Sequence, residues 1–460
     1  MSIRIRNISG NPCVAMLSFD AKTEVSEFTL SDSTSGSRLY SDQTVVDVAL
    51  AGVPRPAEIN GYMITTTEEA PAADSLGWST EAITSYNLDT EGDHTLWGWV
   101  RDTAGNVAGK SAKIGYSTTT PTPSGATPYS LMGGIRVDWT TDLDAVGWIR
   151  YGTGGAYDHE STTFSYGTSH SITITGLDAP TAYDCQVVCN GVAGPTGSIC
   201  VGPFTWKTPA AGGSWNTAAN WTPAQEPGEG DVAILPNSGS VVHTVTVDLA
   251  SFAAELRMEQ GGAGGNYVQL NNDFTVNKIQ LSAPAGTSDP RNSYMRVYVN
   301  GHTFTFGNAE PYGTSNHWGM PIPTGTSGGT IIKNGTGTTI LCFQSASNFN
   351  GEYVVQNGIL DLRTGAGQAN ISAASKLTVI SPGVVTVGSG TGHPNAYMLN
   401  GHGNGTDTSG AMIAGGGTVV TKPVTLATAS TINVPLLTDV ARISGNLDGA
   451  GECRKKALAR

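Results

Sequence analysis

The chain is poor in charge, in cysteine and in long apolar runs. Only 13% of its 460 residues are charged, against roughly 25% in typical soluble domains. Six cysteines are too few for a disulfide scaffold. No run of about 18 apolar residues is present to form a membrane-spanning helix. Asn, Gly and Pro interrupt the segment after Arg4 and Arg6, so we predict no signal peptide in this chain.

The formal net charge of −13 makes several partners unfavourable. An acidic chain repels phosphate backbones and anionic membrane surfaces. We therefore predict no nucleic-acid partner and no membrane insertion by this segment. No C-x-x-C pair and no His/Cys cluster has the spacing of a zinc site, so we predict neither a metal nor a cofactor.

Glycine and proline are abundant instead, with 60 and 23 residues. Strong helix formers are scarce, whereas short alternating runs bounded by Gly, Asn, Pro and Asp recur from end to end. The length fits two to four domains. These features favour an all-β chain of several modules.

Residues 1–118 form the first predicted module. Leu96 and Val100 alternate with Trp97 and Trp99 in a strand, and a tight turn follows at 102–106. The phrase WVRDTAGN in this strand and turn resembles the late hairpin of bacterial immunoglobulin-like modules, which implies a β-sandwich spacer. A Thr/Pro-rich linker is predicted at 119–127.

Residues 128–209 form the second predicted module. Its strands carry Trp139 and Tyr151, and the phrase GLDAPTAY contains Leu177 and Tyr183. This pattern resembles fibronectin type III modules. The resemblance implies a second β-sandwich with Leu177 and Tyr183 in its core, and says little about function.

Residues 211–460 form the third predicted module. It opens with Trp215, Trp221 and Asp231 in a phrase found in many exported bacterial β-repeat proteins. Residues 329–362 resemble the autotransporter-associated β-strand repeat, also called the passenger-associated transport repeat. The residues that carry this resemblance are Lys333, Gly335, Gly337, Thr338, Asn348, Gly351, Val355, Gly358 and Leu360.

The repeat resemblance implies a right-handed parallel β-helix. In such a solenoid, inward Val, Ile and Leu stack from coil to coil, while Gly and Asn form the corners. An irregular β-sandwich is the alternative fold for this module. Residues 441–457 resemble the start of a second repeat that breaks off, so we predict a truncated or frameshifted piece of a longer protein.

Three cysteines lie close together in the second module. If residues 190–197 form a hairpin loop, Cys189 and Cys200 face each other and are candidates for a disulfide. The alternative is that Cys185, Cys189 and Cys200 are buried thiols.

We predict no catalytic residue. The 15 acidic residues from 211 onward are scattered, whereas glycoside hydrolysis needs two carboxylates flanking one bond. His402 stands in an isolated GHG phrase of the polygalacturonase-like hydrolases, without their acidic motifs. Tyr312, His317 and Trp318 lie in a predicted long turn, where aromatic rings are suited to stack on a sugar.

The sequence thus predicts a structural or adhesive fragment of a modular exported bacterial protein, secreted or on the cell surface. Its expected partners are an extracellular polysaccharide or another surface protein. A secreted β-helix enzyme that binds or degrades polysaccharide, as a lyase or glycoside hydrolase, is the alternative.

Overall fold

The structure, a computed structural model, describes most of the chain. The described residues are 23–53, 57–207, 212–236, 239, 241–259, 265–282, 295–309, 311–312, 317–318, 322–341, 347–362, 371–388, 392–404, 410–415, 417–434, 441–449, 451 and 453–456. Within these ranges the helical structure is one 3-10 turn, Ala218–Asn220. The same ranges contain no helix long and apolar enough to cross a membrane.

The chain divides into two compact units. The first, which we call the sandwich unit, comprises Met1–Thr127, Val137–Ile172 and Asp184–Gly197. The second, the solenoid unit, comprises Pro128–Arg136, Thr173–Tyr183 and Ser198–Arg460.

The first β-sandwich lies in the sandwich unit. Its two sheets have the strand orders β1-β3-β5 and β2-β7-β6-β4. The strands are β1 (Glu24–Asp32), β2 (Tyr40–Ser41), β3 (Val45–Val53), β4 (Ile59–Thr65), β5 (Ser85–Asn87), β6 (Gly92–Asp102) and β7 (Val107–Tyr116).

Alternation of apolar residues explains the core of this sandwich. Phe28, Val48, Leu96 and Val100 are among its buried side chains, because every second residue of a strand points to the same face. The turn predicted after β6 is confirmed. The carboxylate of Asp102 accepts hydrogen bonds from the backbone N–H groups of Ala104 and Asn106.

The second sandwich is built around one long strand, β9, with which four other strands pair. Its sheet has the order β10-β9-β12-β13, and both β8 and β11 also pair with β9. The strands are β8 (Pro123–Leu131), β9 (Gly134–Gly152), β10 (His159–Glu160), β11 (Ser165–Thr175), β12 (Thr181–Cys189) and β13 (Val192–Val201). Strand β8 begins within the stretch predicted as a linker. Tyr183 is buried as expected, whereas Leu177 is only half-buried.

The hairpin between β12 and β13 corrects the predicted disulfide. Its turn consists of two residues, Asn190 and Gly191, with φ of 46° and 78°, which is typical of a type I′ turn. The eight-residue loop proposed from the sequence is therefore wrong. Cys189 precedes the turn while Cys200 lies near the far end of β13, and both are free thiols.

The solenoid unit continues with many short strands. Its first half contains β14 (Phe204–Trp206), β15 (Gly213–Ser214), β16 (Trp221–Thr222), β17 (Val232–Leu235), β18 (Val242–Val247), β19 (Ser251–Glu259), β20 (Gly265–Leu270), β21 (Phe274–Ser282), β22 (Met295–Tyr298), β23 (Thr303–Ala309), β24 (Pro311–Tyr312), β25 (His317–Trp318) and β26 (Ile322–Thr324). Its second half contains β27 (Thr330–Lys333), β28 (Thr338–Ile340), β29 (Glu352–Val355), β30 (Ile359–Leu362), β31 (Lys376–Ile380), β32 (Val384–Val387), β33 (Gly392–His393), β34 (Ala396–Asn400), β35 (Met412–Ala414), β36 (Val419–Val420), β37 (Val424–Leu426), β38 (Ser430–Asn433), β39 (Arg442–Ile443), β40 (Leu447–Asp448) and β41 (Cys453–Lys456).

These strands form the faces of a parallel β-solenoid. The long face has the order β16-β14-β17-β19-β21-β23-β27-β29-β31-β34-β37-β40, and all its pairs except β16-β14 are parallel. Three further sheets flank it. The strands β15-β18-β20-β22-β26 precede the long-face strand of their coils, whereas β28-β30-β32-β35-β38-β41 follow it. The short sheet β33-β36-β39 again precedes the long face. The predicted all-β fold of β-sandwich modules followed by a parallel β-helix is confirmed, and the alternative of an irregular sandwich is wrong.

The core of the solenoid is built from stacked columns. Ala233 pairs with Leu256 and Leu256 with Ile279, so each coil here advances the chain by about 23 residues. One inward column of the long face is entirely buried and contains Phe274, Phe304, Ile331, Tyr353, Leu377, Tyr397 and Val424. Each such side chain contributes roughly 1.5–3 kcal/mol by leaving water.

The repeat-like segment 329–362 contributes strands to two successive coils, and its glycines Gly335, Gly337 and Gly358 lie at one corner. Gly358 has φ of 64°, and a Cβ on it would lie 2.4 Å from the carbonyl oxygens of Gly335 and Gly337 in the preceding coil. The N–H of Gly337 donates to the side-chain oxygen of Asn308, one coil earlier, at 2.8 Å. Glycine and asparagine are therefore used at this corner because backbone meets backbone.

Candidate functional site

The three aromatic residues predicted to contact a sugar occupy a short hairpin. Strands β24 and β25 are antiparallel, with Tyr312 opposite His317 and Pro311 opposite Trp318. The side chains of Tyr312, His317 and Trp318 lie outside the described part of the structure. Their role in ligand binding stays a prediction.

Two histidines are bonded to hydroxyl groups. The ring nitrogens of His170 lie 2.8 Å from the hydroxyl oxygen of Ser165 and 3.2 Å from that of Thr141. Burial lowers the pKa of His170, and its two hydroxyl contacts link strands of the second sandwich. Nδ1 of His402 lies 2.8 Å from the hydroxyl oxygen of Thr431. In each of these contacts the partner of the imidazole is a hydroxyl group.

The sandwich unit contains a pocket of about 640 Å³. We call it the inter-sandwich pocket. It is lined by Asp32, Thr34, Ser35, Gly36, Ser37, Tyr40, Asp42, Trp148, Arg150, Glu160, Asn190, Gly191 and Val192. The rings of Tyr40 and Trp148 stack at 5.9 Å along its wall.

Most polar groups of the inter-sandwich pocket bond to each other or to its own walls. Arg150 pairs with Glu160 at 2.9 Å, and the hydroxyl of Tyr40 donates to the carbonyl of Ser117. Burial alone would raise the pKa of Asp32, but hydrogen bonds, above all from Ser35, lower it overall. These bonds leave the pocket little capacity to recognise a polar ligand.

A second pocket lies in the solenoid unit at its first coil. We call it the first-coil pocket. It has a volume of about 420 Å³ and is lined by Pro128, Tyr129, Ser130, Leu131, Arg136, Ile199, Gln225, Glu226, Gly228, Glu229, Gly230, Asp231 and Asn277. A backbone bridge between Leu131 and Gly230 closes one wall. A Cβ on Gly230 would lie 2.6 Å from the carbonyl oxygen of Ser130, so glycine permits this approach.

Asp231 is the most perturbed group of the first-coil pocket. It is only 1% exposed, and its Oδ2 accepts a hydrogen bond from the N–H of Gly228 at 2.8 Å. Its Oδ1 and the hydroxyl of Ser130 beside this carboxyl are both buried without a hydrogen bond of good geometry. Burial raises the pKa of Asp231, although Ser130 and Gly228 oppose the increase.

The backbone holds Asp231 in a fixed position. Its carbonyl oxygen accepts hydrogen bonds from the N–H groups of Ala254 and Glu255 in β19, and its own N–H donates to the carbonyl of Gly228. Nearby, the fully buried rings of Trp206, Trp215 and Trp221 meet edge to face at 4.7–5.1 Å. The residues of the predicted opening phrase thus form the rigid first coil.

The remaining walls of the first-coil pocket are aromatic and polar. Tyr129 is 41% exposed, and the guanidinium of Arg136 lies 4.5 Å from its ring centre. Glu229 and Asn277 are exposed, whereas Glu226 is half-buried and bonded to the side-chain amide of Asn216 at 2.6 Å. The site therefore combines a flat ring, a buried acceptor and several exposed polar groups.

Sequence reasoning named Asp231 only as part of the opening phrase and missed the pocket around it. The segment QEPGEGD, 225–231, has three acidic residues among glycines and a proline, which is a local signal for a polar loop. Tyr129 and Arg136, however, lie about a hundred residues earlier in the chain. Across the described residues, no group of three or more His, Cys, Asp and Glu side chains is arranged to hold a metal ion.

Comparison with known proteins gives similar structures but no family. No family model matches the chain, and no curated protein matches it. Structures of fibronectin type III domains are similar to about two fifths of the chain. Chicken CNTN1 FN1–FN3 has 15% identity, a TM-score of 0.17 and coverage of 40% of this chain and 68% of that one.

Two further structures show the same limited similarity. The fibronectin(III)-like modules of Clostridium thermocellum CbhA have 10% identity, a TM-score of 0.18 and coverage of 38% and 93%. The two-domain fibronectin type III segment of chicken tenascin has 14% identity, a TM-score of 0.16 and coverage of 39% and 99%. These scores are too low to transfer a function, and the identity of segment 329–362 as an autotransporter-associated repeat stays a prediction.

Proposed function

We propose that this chain is a structural and adhesive part of a modular protein exported to a bacterial cell surface. The observation that carries the proposal is the continuous buried core of the solenoid unit, which includes residues from Phe204 to Ile432. Stacked coils that share one core form a strut, since each coil is held by both its neighbours.

The length of the long face fits this role. Its eleven parallel strands, β14 to β40 without β16, are spaced by about 4.8 Å, so the ladder extends roughly 50 Å. Antiparallel sandwiches at the other end of the chain are suited to act as spacers. An extracellular polysaccharide or another surface protein is the partner that we propose for such a strut.

Single-molecule pulling of the full chain from its two ends tests the structural role. A coil of about 23 residues that detaches from the stack should lengthen the chain by about 75 Å. We expect a series of such steps, separate from the larger steps of the sandwich modules. Extension of the solenoid without resolved steps would contradict a mechanical role.

A pull-down with insoluble polysaccharides tests the adhesive role. We expect the full chain to be retained by at least one neutral polysaccharide and released by its soluble oligomers. If no polysaccharide retains it and no surface protein captures it, the adhesive half of the proposal is wrong.

Polysaccharide cleavage is a second candidate function, supported by one observation. The first-coil pocket brings buried Asp231, whose pKa is raised, together with Glu226 and Glu229. Glycoside hydrolysis needs two carboxyl groups that flank one bond, and three carboxyl groups line this pocket. Incubation with neutral and acidic polysaccharides, read by new reducing ends and unsaturated products, tests this alternative. New ends that disappear in Asp231→Asn would replace the purely adhesive function.

A further inference from the structure

We propose that the first-coil pocket is a saccharide-binding subsite for a sugar ring without a carboxylate. This inference rests on the proposed adhesive function, because it assigns that function to a defined place. It combines a cavity of suitable size, a buried carboxylate oxygen without a hydrogen bond of good geometry and an exposed aromatic ring.

Asp231 supplies the hydrogen bond that such a ligand would complete. A buried polar atom without a partner is costly, and native proteins rarely retain one. Oδ2 of Asp231 is already bonded to Gly228, whereas Oδ1 and the hydroxyl of Ser130 beside this carboxyl both lack a hydrogen bond of good geometry. A sugar hydroxyl entering the pocket would donate to Oδ1 and remove the cost.

Tyr129 supplies the surface against which a sugar ring would pack. Sugar rings present C–H groups on their faces, and an aromatic ring covers these groups well. Arg136 lies against the Tyr129 ring at 4.5 Å, and this contact fixes the orientation of the ring. Because 41% of Tyr129 remains exposed, part of its surface is accessible to a ligand.

The size and charge of the pocket define the ligand class. A cavity of about 420 Å³ falls in the range of small-ligand sites. Even without the buried Asp231, the carboxyl groups of Glu226 and Glu229 outnumber the guanidinium of Arg136 in this pocket. The resulting negative potential opposes a uronate carboxylate and favours a neutral or amino sugar.

The first-coil pocket is better suited to this role than the larger inter-sandwich pocket. In the inter-sandwich pocket Arg150 and Glu160 bond to each other, and Asp32 accepts hydrogen bonds from its own loop. The two cavities are therefore a natural test pair, since both contain aromatic and acidic residues and one has its polar groups already bonded.

Calorimetric titration of the full chain with three hexasaccharides tests the proposal. The probes are β-linked glucose, β-linked glucosamine and α-linked galacturonate oligomers. We expect the glucose or glucosamine oligomer to bind, and the galacturonate oligomer to bind at least tenfold more weakly. Tyr129→Ala should weaken binding tenfold or more, and Tyr129→Phe should retain it. Asp231→Asn should weaken binding about tenfold.

The matched control is Glu160→Gln in the inter-sandwich pocket, which should leave the affinity unchanged. An unchanged melting temperature and circular dichroism spectrum of the Tyr129 variants would show that they fold. Binding that is equal in wild type, Tyr129→Ala and Asp231→Asn would overturn the proposal, as would a preference for galacturonate or no binding of any oligomer.

The two proposals fail separately. If polysaccharide pull-down persists in Tyr129→Ala, adhesion stands and the first-coil pocket is the wrong site. If the oligomers bind to this pocket while the pulling and pull-down experiments are negative, the subsite stands and the structural and adhesive function is wrong.

Discussion

The sandwich unit and the solenoid unit use the same residue types to build cores of different kinds. In the first sandwich, Phe28 and Leu96 close a core between two antiparallel sheets. In the solenoid, Phe304 lies between Phe274 of one coil and Ile331 of the next. The sandwich core is complete in itself, whereas each solenoid layer is completed only by its neighbours.

This difference shows which strand registers are set by local sequence and which are set by the stacking of coils. A hairpin sets its register through its turn, as Asn190 and Gly191 do between β12 and β13. A parallel coil has no such turn, so its register depends on columns of side chains and on corners that fit together.

Loss of a buried aromatic ring should change the relative stability of the two cores more than any other substitution considered. Phe304→Ala removes a fully buried side chain from the middle of an aromatic stack, with Phe274 at 5.9 Å and Phe306 at 6.1 Å. We expect about 3–5 kcal/mol less stability of the solenoid transition. Differential scanning calorimetry measures this shift.

The matched variant for this prediction is Phe28→Ala in the first sandwich. It should lower the transition of that module and leave the solenoid transition in place. Equal shifts of both transitions in either variant would show that the two cores are not independent.

Two glycines with similar backbone conformations allow the cost of crowding at a corner to be distinguished from the cost of the left-handed conformation itself. Gly358 and Gly36 have φ of 64° and 72°, but only Gly358 has neighbouring atoms within 4 Å of a built Cβ. Gly36→Ala should cost about 1–2 kcal/mol from the left-handed conformation alone. Gly358→Ala should cost about 3 kcal/mol or more, because its methyl group meets two carbonyls. Chemical denaturation of both variants gives the difference, and equal costs would rule out a close corner.

Removal of the Asn190 side chain tests how far the sandwich unit depends on side-chain hydrogen bonds. Its amide donates to Ser117 and Thr119 and accepts from the N–H of Val146 at 2.8 Å. Asn190→Gly keeps the left-handed turn and should cost about 2 kcal/mol in the sandwich transitions, since the Val146 N–H loses its partner. Unfolding in denaturant measures this change, with an unchanged solenoid transition as the internal reference.

The smallest effect is expected from Lys333. In the part of the long face that the structure describes, it is the one cationic side chain in an inward column. Lys333 is 1% exposed between Phe306 and Val355 in register, and its Nζ donates to the carbonyl of Gly335. Burial lowers the pKa of Lys333 from 10.5 to about 8. Below pH 8 Lys333 is charged in both the folded and the unfolded chain, so burial of this charge lowers the stability of the folded state by its full amount.

Between about pH 8 and 10.5 the unfolded chain holds the Lys333 proton more tightly than the folded chain, so the contribution of Lys333 to the stability of the solenoid unit should rise with pH. Burial raises the pKa of Tyr353 and Tyr397, which acts in the opposite direction at the upper end of this range, so the contribution of Lys333 is the difference between wild type and Lys333→Met. Allowing for solvent screening, we expect a rise of about 1–2 kcal/mol. Lys333→Met should abolish this rise, and the exposed Lys376→Met should retain it. Denaturant titrations at pH 7.5, 9 and 10.5 give the three curves, and a rise that persists in Lys333→Met would contradict the assignment.

The sequence predicted those parts of the fold that depend on nearby residues. The turn after Asp102 follows from Gly and Asn tolerating positive φ, and the corners at Gly335 and Gly358 from a spacing typical of solenoids. The Asn-Gly turn at 190 was misread as a longer loop, although Asn-Gly is itself a strong signal for a two-residue hairpin turn.

Long-range contacts could not be predicted in the same way. The first-coil pocket needs Leu131 beside Gly230, and nothing in either local segment specifies that partner. Lys333 matched the repeat pattern. Only the register of the coils shows that its aliphatic stem takes the place of a core side chain, while its amine donates to the carbonyl of Gly335 at the corner.

The change of flanking sheet along the solenoid has a consequence for cooperativity. The sheet that precedes the long face ends with β26 at Thr324, and the sheet that follows the long face begins with β28 at Thr338, while the long face itself continues from β23 through β27 to β29. In the residues that the structure describes, a single sheet thus carries backbone hydrogen bonds across this point. The coils on its two sides are therefore expected to open as separate foldons, with amide exchange fastest beside the seam.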